Sequence, residues 1–428
     1  MSSEPEKVSS LSRGGWLSPM MVAVHSLGIT QITAWGTSYY CLGVLAAPIV
    51  ADLGWSRGFV FLGFTVSVLV MALISAWVGR LIDRIGARVV MSVGSVIVAA
   101  GLFLLSRVTT HAAYLAVWVL LGIGMRCCLY DAAFAALVQV APARGRQAIS
   151  YLTLYGAFAS SVFWVAGHYL EEAIGWRQAL VVFALLNIGV CLPLHWLGLS
   201  RREAPVAAEA SGSSGSSQSR VLEGKARTLA MVLFALVMSL NGFVFGIVSV
   251  QLVPLLEAAG LATAAAVWLA SMKGVAQFIG RVVEIAFGRN LSPVAIGRLS
   301  IAVVPVSFGL LSVAQGQFAV LAIFTLLMGA SQGVLTIVRG AVPLALFGAK
   351  GYGAVLGFIA TPVLFVSAAA PTIFAWIVDR WGWHTGHVAI LASAIASMLC
   401  METMAWWHRR GVAAEARVLE RSSSRPSR

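Results

Sequence analysis

Charge is what this chain has least of. Asp, Glu, Lys and Arg make up 11% of its 428 residues, where a soluble domain carries roughly 25%. So little polar surface cannot cover a water-soluble fold of this length. Acidic residues are scarcer still, 16 against 29 basic ones, leaving a net charge of +13. In a soluble chain that excess would point to nucleic acid, but with 59% hydrophobic residues it fits the basic loops of a membrane protein instead. No nucleic-acid partner is expected. Cysteine is also sparse: Cys41, Cys127, Cys128, Cys191 and Cys400 all fall inside apolar stretches. The adjacent Cys127 and Cys128 lack zinc-site spacing, and disulfide frameworks belong to small secreted domains. All five read as small core residues. The chain also lacks a phosphate-cradling Gly-x4-Gly-Lys-Ser/Thr loop, a His-Glu-x-x-His pair and any polar stretch large enough for an ATPase. Catalysis and cofactors are therefore not expected, and uphill work would have to draw on an ion gradient.

What the chain has in abundance is long apolar runs. A bilayer core takes about 20 apolar helical residues to cross. Runs that meet this are 20–49, 58–78, 89–106, 112–140, 148–170 and 178–199, then 228–256, 262–280, 299–314, 317–347, 353–378 and 385–407. The first follows a polar stretch, Met1 to Ser18, and is too long for a cleaved signal core, so it is expected to be retained. The reading is an all-α membrane protein of twelve transmembrane helices. Twelve crossings put both termini on one side. That side, with its loops, holds 22 of the 29 basic residues, while Arg57, Arg107, Arg177 and Arg380 face the other way. Positive loops stay inside, so both termini are expected in the cytoplasm of a bacterium, with the spans in its inner membrane.

Between the sixth and seventh runs the composition changes. Residues 211–219 read SGSSGSSQS, and such sequences behave as flexible coil. The expected organisation is a tail (1–18), a first bundle (19–199), a cytoplasmic linker (200–227), a second bundle (228–408) and a disordered tail (409–428). The bundles carry matching landmarks. Pro48 and Gly54 correspond to Pro254 and Gly260; Gly79-Arg80-Leu81-Ile82-Asp83 corresponds to Gly280-Arg281-Val282-Val283-Glu284; Gly175-Trp176 corresponds to Gly382-Trp383. The offsets are 206, 201 and 207. A duplicated six-helix unit with a binding seam between its copies is the pattern of alternating-access carriers.

The stretch 79–88, GRLIDRIGAR, resembles the signature loop of the major facilitator superfamily, and the likeness extends over almost the whole chain. It implies that fold, with two pseudo-symmetric six-helix bundles. Within the loop, Gly79 would permit close helix approach, and Asp83 would sit at the positive N-terminus of the eleventh helix. Gly86 completes the pattern, and Arg84 and Arg88 would balance the charge. These five form the expected conformational-switch motif. The Gly-Pro…Gly-Gly pattern of drug/proton exchangers is missing from the fifth run, which has no proline. Runs 1, 2 and 4 look more like bacterial relatives of monocarboxylate-type carriers.

A charge at mid-membrane costs roughly 2.5–3.5 kcal/mol on insertion scales, so such residues are the leading site candidates. Arg126 lies mid-way along the fourth run, Lys273 along the eighth, and Arg339 in the inner half of the tenth. All three are expected to attract an anion, Arg126 and Arg339 bidentately. Asp131 is a candidate for proton coupling, or the counter-ion of a cation on a neighbouring helix. On a continuous helix it would stand about 140° from Arg126, too far around for intimate pairing. Tyr39 and Asn241 are candidates to hydrogen-bond the solute; Trp35, Thr37, Tyr40 and Gln251 are further polar groups on pathway helices. His25 and His168 titrate near neutrality in principle.

The function expected is proton-coupled carriage of a small organic anion by a monomer embedded in lipid. Efflux of an apolar drug or metabolite, lined by Trp35, Tyr39, Phe158 and Trp164, is the alternative.

Overall fold

The structure is a computed structural model that describes residues 18–203, 222 and 224–423. The expected N-terminal tail, most of the Ser/Gly linker and the last five residues lie outside the described residues.

Every regular element described is helical. In the first half these are α1 (Pro19–Ala34), α2 (Leu42–Leu53), α3 (Arg57–Ile85), α4 (Ala87–Leu105), α5 (His111–Cys128), α6 (Tyr130–Val140), α7 (Gly145–Gly156), α8 (Ala159–Leu186) and α9 (Leu192–Gly198). The second half holds α10 (Gly224–Ala258), α11 (Thr263–Phe287), α12 (Pro293–Val313), α13 (Phe318–Phe347) and α14 (Tyr352–Ser423). Single π-helical turns, Trp35–Tyr39 and Asn187–Cys191, join α1 to α2 and α8 to α9. Among the described residues, nine helical runs are long and apolar enough to cross a bilayer.

Two of those runs are 57 and 56 residues long. A straight helix of that length would reach about 85 Å, nearly three times a bilayer core of about 30 Å. Each is broken inside by a glycine: Gly175 at φ 78° and Gly382 at φ 81°. Only glycine takes such angles without strain. The Gly-Trp pairs that stand in register in the sequence are thus the matching break points of the two halves.

The loops at residues 86, 141–144, 199–203, 288–292 and 348–351 gather at one end, here called the linker end. Bonds tie them together: Glu203 N–H to the Val140 carbonyl, Leu222 N–H to the Leu346 carbonyl, and Arg146 to the Leu291 carbonyl. At the opposite end, Arg177 donates to Asp52 and to the carbonyls of Ser106 and Val108.

The apolar core is divided accordingly. One cluster at the linker end joins both halves, with Phe134, Ile149 and Leu152 packed together with Ile337, Ala341 and Leu356. Toward the opposite end the cores are separate, one around Trp118 and Phe183, the other around Phe308, Phe324 and Phe374. Among the described residues the halves also touch farther along, Leu364 against the first core and Phe158 against Phe278 at 5.4 Å between centroids, but the core they share lies at the linker end. There α3 and α14 approach backbone to backbone: a Cβ on Gly79 would collide with the Gly353 carbonyl, and one on Gly357 would come within 2.5 Å of the Ser75 carbonyl.

Some boundaries move from where the apolar runs place them. α11 continues past the expected end at 280 to Phe287, and α14 runs on to Ser423, beyond 408. Hydropathy finds only the apolar part of a helix. The segment RRGVAAEARVLE is polar yet built from good helix formers.

Candidate functional site

The mid-seam polar groups begin with a helix break. α5 ends at Cys128, Leu129 is extended at φ −80° and ψ −172°, and α6 restarts at Tyr130. The freed Cys128 carbonyl accepts a bond from Gln31 Nε2 at 2.7 Å, and Gln31 Oε1 accepts one from Trp35 Nε1 at 3.1 Å. Asp131 falls in the first turn of α6, where the helix dipole favours a carboxylate.

The break changes the geometry expected of Arg126 and Asp131. They are ion-paired, with Arg126 Nη1 3.3 Å from Asp131 Oδ2. The 140° separation holds only on an unbroken helix, and Leu129 resets the phase. Arg126 is further anchored by Nε donating to Ser75 Oγ at 2.7 Å. The same Asp131 oxygen accepts a 2.7 Å bond from Arg339 Nη2 across the seam. Its other oxygen, Oδ1, is buried without a hydrogen-bond partner. Two cations from opposite halves therefore meet on one oxygen of one carboxylate.

Facing this group, α11 presents Lys273, Gln277, Arg281 and Glu284, at i, i+4, i+8 and i+11 and thus on one face. α13 matches them with Gln332, Thr336 and Arg339. Gln277 Nε2 donates to Gln332 Oε1 at 3.3 Å, and Arg281 reaches Thr336 Oγ1 at 3.4 Å. Arg281 also donates to the Thr153 carbonyl of α7 at 2.7 Å, across the seam. The apolar runs assign Arg281 to a loop; the longer α11 places it in the buried interior. The four-residue polar spacing from Lys273 was the available signal. Lys273 lies 5.7 Å from the Phe245 ring centroid. Among the described residues, no carboxylate comes within 4.0 Å of Lys273 or Arg281.

Aromatic rings from the first half complete the seam. Trp35 lies 4.7 Å from Tyr39, 5.9 Å from Tyr40 and 5.3 Å from Tyr130, centroid to centroid. These rings are half-buried. The π-turn at 35–39 is what brings Trp35, Tyr39 and Tyr40 together on this side.

Other sequence candidates lie elsewhere. Asn241 is spent between helices, donating to the Val237 carbonyl and to Ser397 Oγ of α14. Thr37 accepts from Asn187 at 2.9 Å. His25 Nδ1 meets the Tyr155 hydroxyl at 2.5 Å, and His168 pairs with Glu172 on an exposed surface.

At the linker end two latches cross the seam. Asp83 accepts bonds from the backbone N–H groups of Gly353 (2.9 Å) and Ala354 (2.7 Å), at the start of α14. This is the helix N-terminus that the resemblance implies. Glu284, the matching residue of the second half, accepts from Ser150 Oγ (3.0 Å) and Arg146 Nη2 (3.2 Å) in the first turns of α7. Gly86 turns at φ 91°, and Gln139 Oε1 accepts the Ala87 N–H at 2.9 Å. Arg84 is exposed, and Arg88 lies 4.1 Å over the Trp196 ring. A polar cavity of about 370 Å³ opens beside the first latch, lined by Asp83, Arg84, Gln139, Arg202 and Gly353, away from the mid-seam charges.

Residues 27–315 match the family description Major Facilitator Superfamily. The chain belongs to that superfamily. Relatives in the superfamily include Multidrug resistance protein MdtL of Citrobacter koseri, 29% identical over 40% of this chain and 43% of that protein. MdtL of Escherichia coli K12 is 27% identical over 44% of this chain and 47% of its own length. The chain thus spans less than half the length of these curated relatives. Among solved superfamily structures, the human organic anion transporter MFSD10 matches with a TM-score of 0.71 at 15% identity, covering 90% of this chain and 99% of that one. FucP in the outward conformation matches at 0.65 and 13% identity, covering 90% and 99%. At such identities the likeness is one of fold.

Proposed function

We propose that this protein is a secondary carrier that moves a small organic anion together with protons by alternating access. The observation that carries the reading is the charge balance at mid-seam. Arg126, Lys273, Arg281 and Arg339 bring four positive charges, and Asp131 brings one negative charge. A buried cation without a counter-ion is costly, so an anionic solute is the ligand this seam favours. The protein is taken to cross a bacterial inner membrane twelve times as a monomer. This count takes the runs broken at Gly175 and Gly382 as two spans each and adds α11. The linker end is placed in the cytoplasm because it gathers most of the Lys and Arg. Closure at that end leaves the solute's entry from outside.

The coupling runs through competition. A solute carboxylate would compete with Asp131 for Arg339, so that solute binding breaks the contact across the seam. Asp131 is thereby the residue proposed to couple solute to proton, since it shares Arg339 with the solute.

The test is reconstitution into liposomes with an imposed pH gradient and radiolabelled monocarboxylates. Uptake that follows the proton gradient, and that becomes gradient-independent in Asp131→Asn, supports the reading. Absence of anion flux alongside flux of neutral or cationic compounds would reject it. Efflux of drugs is the second reading, favoured by the name of the MdtL relatives and by the half-buried rings of Trp35, Tyr39, Tyr40 and Tyr130. It predicts drug sensitivity on gene deletion and indifference to loss of Arg339.

A further inference from the structure

Two arginines are fully buried among the described residues, Arg126 and Arg281, and only Arg126 has a carboxylate partner. The Arg281 guanidinium has five N–H donors. It gives one to the Thr153 carbonyl at 2.7 Å and two to contacts of 3.4 Å, the Gly333 carbonyl and Thr336 Oγ1. The last two are too long to be strong. A buried, fully charged fork held by neutral acceptors retains the capacity to bind an anion.

Two surroundings specify that anion. The first is the ring cluster. The Tyr130 hydroxyl packs against Gly156 of α7, three residues along from the Thr153 carbonyl that Arg281 grips, and Tyr130 and Tyr40 both pack on Trp35. These rings are half-buried, whereas Tyr114, Trp118 and Tyr352 are fully enclosed. The second is Gln332, one turn from Thr336 on α13 and 6% exposed. Its Oε1 is held by Gln277, and its Nε2 donor has no acceptor. At roughly 1.5 Å of rise per residue, Lys273 lies about 15 Å below the start of α11 and Arg281 about 27 Å. An entering anion would therefore meet Lys273 before it reaches the guanidinium.

We propose that Arg281, Gln332 and the rings of Trp35, Tyr40 and Tyr130 form a binding site for planar aromatic carboxylates. The guanidinium takes the carboxylate bidentately, the Gln332 amide donates to an oxygen of the solute, and the aryl ring packs offset or edge-on against the aromatic shelf. This rests on the anion-carrier reading and narrows it: short aliphatic acids satisfy the fork but leave the rings uncovered, and neutral aromatics do the reverse.

The experiment is isothermal titration of the full chain in lipid nanodiscs with benzoate, acetate and benzamide. Benzoate is expected to bind about tenfold tighter than either, the scale of one charged hydrogen bond or one aromatic pair. Arg281→Gln should weaken benzoate by about tenfold or more, and Arg281→Lys by less, since the charge stays and the fork is lost. Gln332→Leu should weaken it by roughly threefold. Equal binding of acetate and benzoate by the wild type would overturn the proposal, as would Arg281→Gln binding benzoate unchanged. If Arg281→Gln fails to fold, Tyr130→Leu decides: benzoate must lose its advantage over acetate, and an unchanged ratio counts against the site. Proton-coupled flux of aliphatic acids without aromatic preference would remove this proposal and leave the carrier reading standing. Benzoate binding without any anion flux would do the opposite.

Discussion

Asp83 and Glu284 stand 201 positions apart in the chain and do the same work in opposite directions. Asp83 of the first half grips the backbone at the start of α14, and Glu284 of the second half grips the first turns of α7. Each latch crosses the seam, and both lie at the end where the apolar core also crosses it. The matching landmarks of the two halves thus supply a pair of clasps. Their chemistry differs: Asp83 binds peptide N–H groups, whereas Glu284 binds side chains.

Loss of either clasp should loosen the linker end. Asp83→Asn and Glu284→Gln each remove charge-assisted bonds worth about 1.5–3 kcal/mol, which shifts a two-state equilibrium by roughly tenfold or more. Hydrogen exchange read by mass spectrometry should rise at Gly353 and Ala354 in Asp83→Asn. In Glu284→Gln the rise should fall on the start of α7. Equal exchange in mutant and wild type would mean that the clasps are dispensable.

Gly79→Val tests the close approach rather than the charge. Its side chain would meet the Gly353 carbonyl, and overpacking of this kind costs about 1–3 kcal/mol. The carrier should be held open at the linker end. Distances between spin labels placed on the linker-end loops of the two halves are expected to lengthen, with solute flux nearly abolished.

Asp131→Ala leaves Arg126 and Arg339 without their shared carboxylate. Breaking a buried ion pair by removing one partner costs about 3–5 kcal/mol, so thermal stability in detergent should fall clearly. Replacing Arg126 and Arg339 together with Asp131 by uncharged residues should recover part of the loss. A triple variant no more stable than Asp131→Ala would show that the triad's charges are not what the single variant disturbs.

Asn241→Ala should act on stability and spare solute affinity. Its amide joins α10 to α14 through Ser397, and a lost buried bond costs about 1–3 kcal/mol. A lower melting temperature with unchanged KM is the expected pair of results. A raised KM in a stably folded variant would return Asn241 to the solute pathway.

Much of this protein follows from local chemistry, and so could be read from the chain. The apolar runs require a membrane, the paired landmarks Gly175-Trp176 and Gly382-Trp383 reveal the duplication, and GRLIDRIGAR marks the first clasp. Each depends on residue type and spacing alone. Partnerships were less legible. Residue spacing alone sets Arg126 and Asp131 on different faces, because one extended residue, Leu129, resets the helical phase without any glycine or proline to announce it. Hydropathy leaves Arg281 in a loop because it ends at Gly280 while the helix does not. Asn241 read as a solute contact because nothing in the sequence names Ser397 as its partner.

The sequence by itself determined where the chain lies in lipid and that it is built twice, since burial of apolar surface depends on composition over a window of residues. Only the tertiary structure decided which charges meet. That choice rests on helix phase and on the approach of segments far apart in the chain, Arg339 to Asp131 at 2.7 Å. A single backbone torsion or a close glycine contact settles it, and neither is written in the residue types around it.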